Sequence, residues 1–85
     1  MEKVKSIIIS SVRYNKTDIS RKWEQTEKYM FISTEIDAII FWHTDTLPPL
    51  HISVTLPGEV KEFITDVSGY LTKVGVDCSN MDDAN

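Results

Sequence analysis

The sequence predicts an α+β fold: a small, mostly antiparallel sheet of three to four strands with a C-terminal amphipathic helix packed on one face. Three stretches carry this expectation. In Ile36-Asp37-Ala38-Ile39-Ile40-Phe41-Trp42 both alternating faces are mostly apolar, the pattern of a central strand covered on both sides. Leu50, Ile52, Val54 and Leu56 alternate strictly with His51, Ser53 and Thr55, the period of a strand with one buried and one polar face. From Glu59 to Val74, the residues Val60, Phe63, Ile64, Val67, Leu71 and Val74 recur at three- and four-residue steps and form one helical stripe.

Taken in order, Val4 to Tyr14 reads as the first strand because Ile7, Ile8, Ile9 and Val12 are β-branched and show no helical period. Asn15-Lys16-Thr17-Asp18 has turn chemistry. Ile19 to Lys28 fits two patterns, a helix capped by Thr17 or Asp18, and a strand with Trp23, Gln25 and Glu27 on one face. Tyr29 to Ile32 is short, aromatic and apolar, a strand that Ser33-Thr34-Glu35 would turn back into the central one. Loop symmetry about Leu47 then sets the next hairpin, with His43 opposite His51, Trp42 opposite Ile52 and Ile40 opposite Val54. Gly58 is an acceptable cap for the helix, Gly75 ends it, and Gly69 sits on its outer face.

An 85-residue chain makes one domain with a single core. Residues 1–76 are assigned to it and residues 77–85 to a mobile acidic tail carrying the lone Cys78. Met1 to Lys5 is charged and the apolar run after it is only Ile7-Ile8-Ile9, so no membrane association is expected. One cysteine can form no internal disulfide, which agrees with a cytoplasmic location.

The net charge of −4 hides an asymmetry: residues 1–28 hold seven Lys or Arg against four acids, and residues 29–85 hold two against nine. Opposite patches of this kind favour self-association or a charged partner.

Catalytic chemistry is not evident. The three glycines are too scattered for a phosphate loop, and no serine has a nucleophile-elbow context. His43, Asp45 and His51 are the one cluster with ligand chemistry, read here as cross-strand histidines and not as a metal site, and no cofactor is implied. A non-enzymatic protein-binding module is therefore expected, a regulator or inhibitor of a larger protein. Its partner site would be Asp37, Ile39, Phe41 and His43, because one helix covers only one face of the sheet and, unless residues 19–28 supply a second helix, a target or a second copy in a homodimer covers the other. The alternative is RNA or single-stranded nucleic acid bound by the basic N-terminal segment, through Lys5, Arg13, Lys16, Arg21, Lys22, Trp23 and Lys28. Burial of Trp23 would count against it.

Overall fold

A computed structural model describes residues 3–81. The described residues form three strands and a helix in the order β1 (Val4–Asp18), β2 (Tyr29–Trp42), β3 (Leu50–Pro57) and α1 (Phe63–Lys73). The strands make one antiparallel meander with β2 in the middle. The α+β class with an antiparallel sheet is as expected, and the described residues contain no fourth strand.

β2 is one 14-residue strand, longer than the sequence suggested. Ser33, Thr34 and Glu35 make no turn, because Ser33 and Glu35 find partners on β1 and Thr34 finds one just past the end of β3. Asn15 Nδ2 donates to Ser33 Oγ at 2.8 Å, Arg13 Nε donates to Glu35 Oε2 at 2.7 Å, and Thr34 Oγ1 donates to Gly58 O at 2.7 Å. Polar side chains satisfied in this way let the strand continue where composition alone argued for a reversal. β1 likewise runs through the expected turn at Asn15-Lys16-Thr17 and ends at Asp18. Residues 19–28 are neither helix nor strand. They form the hairpin loop, closed by Ile19 N–H donating to Lys28 O at 2.9 Å and by Ser20 N–H donating to Asp18 Oδ1 at 2.8 Å.

The β2–β3 register differs from the expectation by four positions. Ile40 faces Leu50, Ile39 faces His51, Ala38 faces Ile52 and Ile36 faces Val54. The loop is centred near Asp45 and not on Leu47. Pro48 and Pro49 have no N–H for a ladder, and Trp42 Nε1 donates across the loop to Pro48 O at 3.2 Å. An even shift preserves the facing of every side chain, so the apolar pattern could not detect it.

Three irregularities shape the ladder. Lys5 and Ser10 are unmatched on β1, and Ile32 is unmatched on β2 where pairing steps from Asn15–Ser33 to Lys16–Phe31. The last of these changes which side chains share a side. It aligns Tyr14, Lys16, Phe31 and Tyr29, with the Tyr14 and Phe31 rings edge to face at 5.4 Å and Lys16 Nζ 4.3 Å from the Tyr29 ring centre.

The core sits on the inner face of the sheet. Ile7, Ile36, Ala38 and Ile40 form one buried cluster with Val4, Val60, Val67 and Leu71, the last two being the buried residues of α1. Trp42, Ile52, Leu56 and Phe63 pack against this cluster and remain half-buried.

α1 begins at Phe63, four residues later than expected. Gly58 at φ +75° and its neighbours are tied to the sheet, with Gly58 N–H donating to Ile32 O at 3.0 Å and Val60 N–H donating to Thr34 Oγ1 at 3.0 Å. Those amides are not free to open a helix. At the other end Gly75, φ +97°, ends the helix as expected. Its N–H donates to Thr72 O at 3.1 Å and Val76 N–H donates to Leu71 O at 2.9 Å, the paired bonds of a Schellman motif.

Of the segment assigned to a tail, residues 77–81 run back along the start of β1. Val4 N–H donates to Asp77 O at 2.9 Å, and Cys78 and Met81 pack against the core cluster. Residues 82–85 lie outside the described residues. The molecule is long and narrow, 58 × 21 × 19 Å with a radius of gyration of 16.4 Å, against about 12 Å for a compact chain of this length. The excess is the distal part of the β1–β2 hairpin, which runs past the end of β3 as a two-stranded arm.

Candidate functional site

The outer face of the sheet contributes nothing to the buried cluster. Alternation places Glu35, Asp37, Ile39 and Phe41 of β2 there, beside Ile8 and Ser11 of β1 and His51, Ser53 and Thr55 of β3. The structure therefore brings three of the four predicted partner-site residues, Asp37, Ile39 and Phe41, into one row. Ile8 joins them directly opposite Ile39 and is 51% exposed. Phe41 is half-buried and lines a shallow groove of about 370 Å³ with Lys5, Ile8, Trp42 and Leu47. Ile8 was missed as a site residue although Ile7-Ile8-Ile9 already showed apolar residues on both sides of β1.

The polar end of this row is preorganised. Ser11 Oγ donates to Asp37 Oδ2 at 2.8 Å, and that bond, with a second from the Ser53 hydroxyl, holds the Asp37 carboxyl below the usual carboxylate range. His43 does not face His51. Its Nε2 donates to Asn80 O at 2.6 Å and its backbone N–H donates to Lys3 O at 3.1 Å, while His51 sits opposite Ile39. The cross-strand histidine pair is thus corrected by the register shift. Among the described residues no three His, Cys, Asp or Glu side chains are gathered to hold a metal ion.

The basic residues divide between two ends. Lys5 lies by the Phe41 groove, and Arg13 is paired with Glu35 in mid-sheet. Lys16, Arg21, Lys22, Trp23 and Lys28 gather on the arm. Trp23 is 76% exposed, so the burial that would count against the nucleic-acid alternative does not occur, and the Arg21 guanidinium lies 5.6 Å from its ring centre. Lys28 pairs with Glu24 at 3.2 Å, and Tyr29 OH donates to Glu27 Oε2 at 2.7 Å, a bond that raises the Tyr29 phenol above its ordinary pKa. The arm is therefore mixed in charge. It also exposes Met30 and Ile32, on no covering layer.

Cys78 is a free, partly buried thiol, and its burial pushes its pKa up, which disfavours a nucleophilic role. Compared with known proteins, the chain matches no family model, no curated sequence and no solved structure. No helix among the described residues is long and apolar enough to cross a membrane.

Proposed function

We propose that this chain is a small non-enzymatic protein-binding module, a regulator or inhibitor of a larger cytoplasmic protein, which it engages through the outer face of its sheet. The observation that carries this reading is the row of Ile8, Ile39 and Phe41, apolar side chains on a face that supplies no residue to the core, with Ile8 half-exposed. In this reading α1 covers the inner face, supported by Val67 and Leu71 in the buried cluster, and the partner covers the outer one. An apolar centre rimmed by the Asp37 carboxylate, Ser11, Ser53 and Lys5 has the composition of an interface patch.

The second reading, single-stranded nucleic acid on the arm, is favoured by one observation, the exposed Trp23 ring with Arg21 against it. The neighbouring acids Asp18, Glu24 and Glu27 weaken it, since they offset the lysines that would neutralise phosphates.

Capture of partners from native lysate with wild type, Ile8→Asp, Phe41→Asp and Trp23→Ala, each with and without nuclease, separates the two. A protein that survives nuclease and Trp23→Ala but is lost with Ile8→Asp and Phe41→Asp is the expected result. Co-purifying nucleic acid that is lost only with Trp23→Ala would replace the first reading with the second.

A further inference from the structure

The two edges of the sheet are built differently. The outer edge of β1 is interrupted by the unmatched Lys5 and Ser10, carries Arg13, Lys16 and Asp18, and at its start is paired with the segment at Asp77. Bulges, charges and cover are the usual means of keeping an edge from pairing with another chain. β3 has none of them. Its register with β2 runs without interruption, and Leu50 to Leu56 contains no Asp, Glu, Lys or Arg.

The ladder also shows which groups β3 leaves free. Gly58 N–H donates to Ile32 O, and in an antiparallel pair the inward bonds recur at every second residue, so positions 50, 52, 54 and 56 face β2. The N–H and C=O groups of His51, Ser53 and Thr55 consequently point away from the sheet. Pro49 and Pro57 bound this window, and Ser53 is its centre.

From this geometry we infer that β3 is a self-pairing edge: two copies of the chain join β3 to β3, antiparallel, about a twofold axis at Ser53. In that register Ser53 meets Ser53 and His51 meets Thr55, giving about six new backbone hydrogen bonds, two for each bonded pair. Ile52 then lies against Val54, and Leu50, 46% exposed in one chain, lies against Leu56 of the second copy. Leu56 borders a groove of about 430 Å³ that Val60, Gly69 and Tyr70 also line, so Leu50 of the second copy arrives at its mouth. A strand whose apolar residues all fall on one side, with a polar residue at its centre, is complementary to its own reverse. No ionised acid or lysine has to be desolvated to pair it. The apolar row of Ile8, Ile39 and Phe41 stays open in both copies, so this association meets the patch proposed for a larger protein only at Ser53 on its rim.

Sedimentation equilibrium of the full chain at micromolar concentration, with amide exchange on the same sample, tests the inference. Wild type should show twice its 9.7 kDa mass and slow exchange at the His51, Ser53 and Thr55 amides. Ser53→Pro removes the central outward N–H, which β2 does not use, and should weaken association by more than about tenfold while circular dichroism stays native. Ser53→Lys sets two like charges across the axis beside a favourable Asp37 within each chain, and should give a folded monomer even if the proline variant does not fold. Phe41→Asp should leave the dimer intact. A wild type that stays monomeric through the micromolar range, or a dimer that Ser53→Lys does not weaken, would overturn the inference.

Discussion

The hydroxyl of Thr34 accepts a hydrogen bond from the Val60 amide at 3.0 Å, so a fully buried side chain in mid-sheet fixes the segment that leads into the helix. The same oxygen donates to Gly58 O at 2.7 Å. Thr34→Val keeps the shape but leaves a buried N–H without a partner, and should cost about 1 to 3 kcal/mol in denaturant melts. Thr34→Ser, which restores the hydroxyl, should recover most of that loss.

Two isoleucines of β2 give a second comparison. Ile36 is completely buried in the core cluster, whereas Ile32 is 56% exposed at the bulge where the arm begins. Ile36→Ala should destabilise by about 2 to 5 kcal/mol. Ile32→Ala should stay within about 1 kcal/mol. Similar values for the two would mean that the arm is packed against something in the folded monomer.

The parts legible in the sequence were those that depend on a local period. β1, the Phe63, Ile64, Val67 and Leu71 part of the helix stripe and the stop at Gly75 followed from the local pattern, and so did the outward placement of Asp37, Ile39 and Phe41, whereas Val60 precedes α1 and Val74, expected in the stripe, lies past its end and is 58% exposed. The β2–β3 register did not follow, because a four-residue slip leaves Ile36, Ala38 and Ile40 on the same face. Nor was the length of β2 visible, since Ser33, Thr34 and Glu35 have turn composition and are kept extended only by partners far away in sequence, namely Asn15, Gly58, Val60 and Arg13. The unmatched Ile32 left no local signal either, although it decides that Phe31 and Tyr29 join Tyr14 on one side.

Asp37 provides a pH-dependent outcome. Its carboxyl is held low first by the Ser11 hydroxyl and then by that of Ser53, so the folded state favours the ionised form. The stabilisation this gives is complete above the unfolded-state value of about 3.9 and is lost as pH falls through the lower folded-state value. Ser11→Ala should therefore raise the Asp37 pKa measured by carboxyl NMR titration. The melting-temperature gap between wild type and Ser11→Ala should be steady near neutrality and narrow in that acid window. A gap that opens only above neutrality would assign the effect to another group.

The arm makes the most direct claim about shape, and it can be checked without any partner. A two-stranded ribbon with exposed Ile19, Trp23, Met30 and Ile32 gains little from burial, so its integrity rests on ladder bonds, the Asp18–Ser20 contact and the Lys28–Glu24 pair. Arg21 and Lys22 lie exposed at the end of this ribbon, which makes them the first sites that trypsin should cut. Brief digestion should nick the chain after Arg21 or Lys22 while the fragments stay associated through the remaining sheet. Iodide should quench Trp23 strongly and the half-buried Trp42 weakly, a contrast that Trp23→Phe would remove. Small-angle scattering of the monomeric Ser53→Lys variant should return a radius of gyration near the 16.4 Å of the extended form. A value near the roughly 12 Å of a compact chain would mean that the arm folds back onto the sheet.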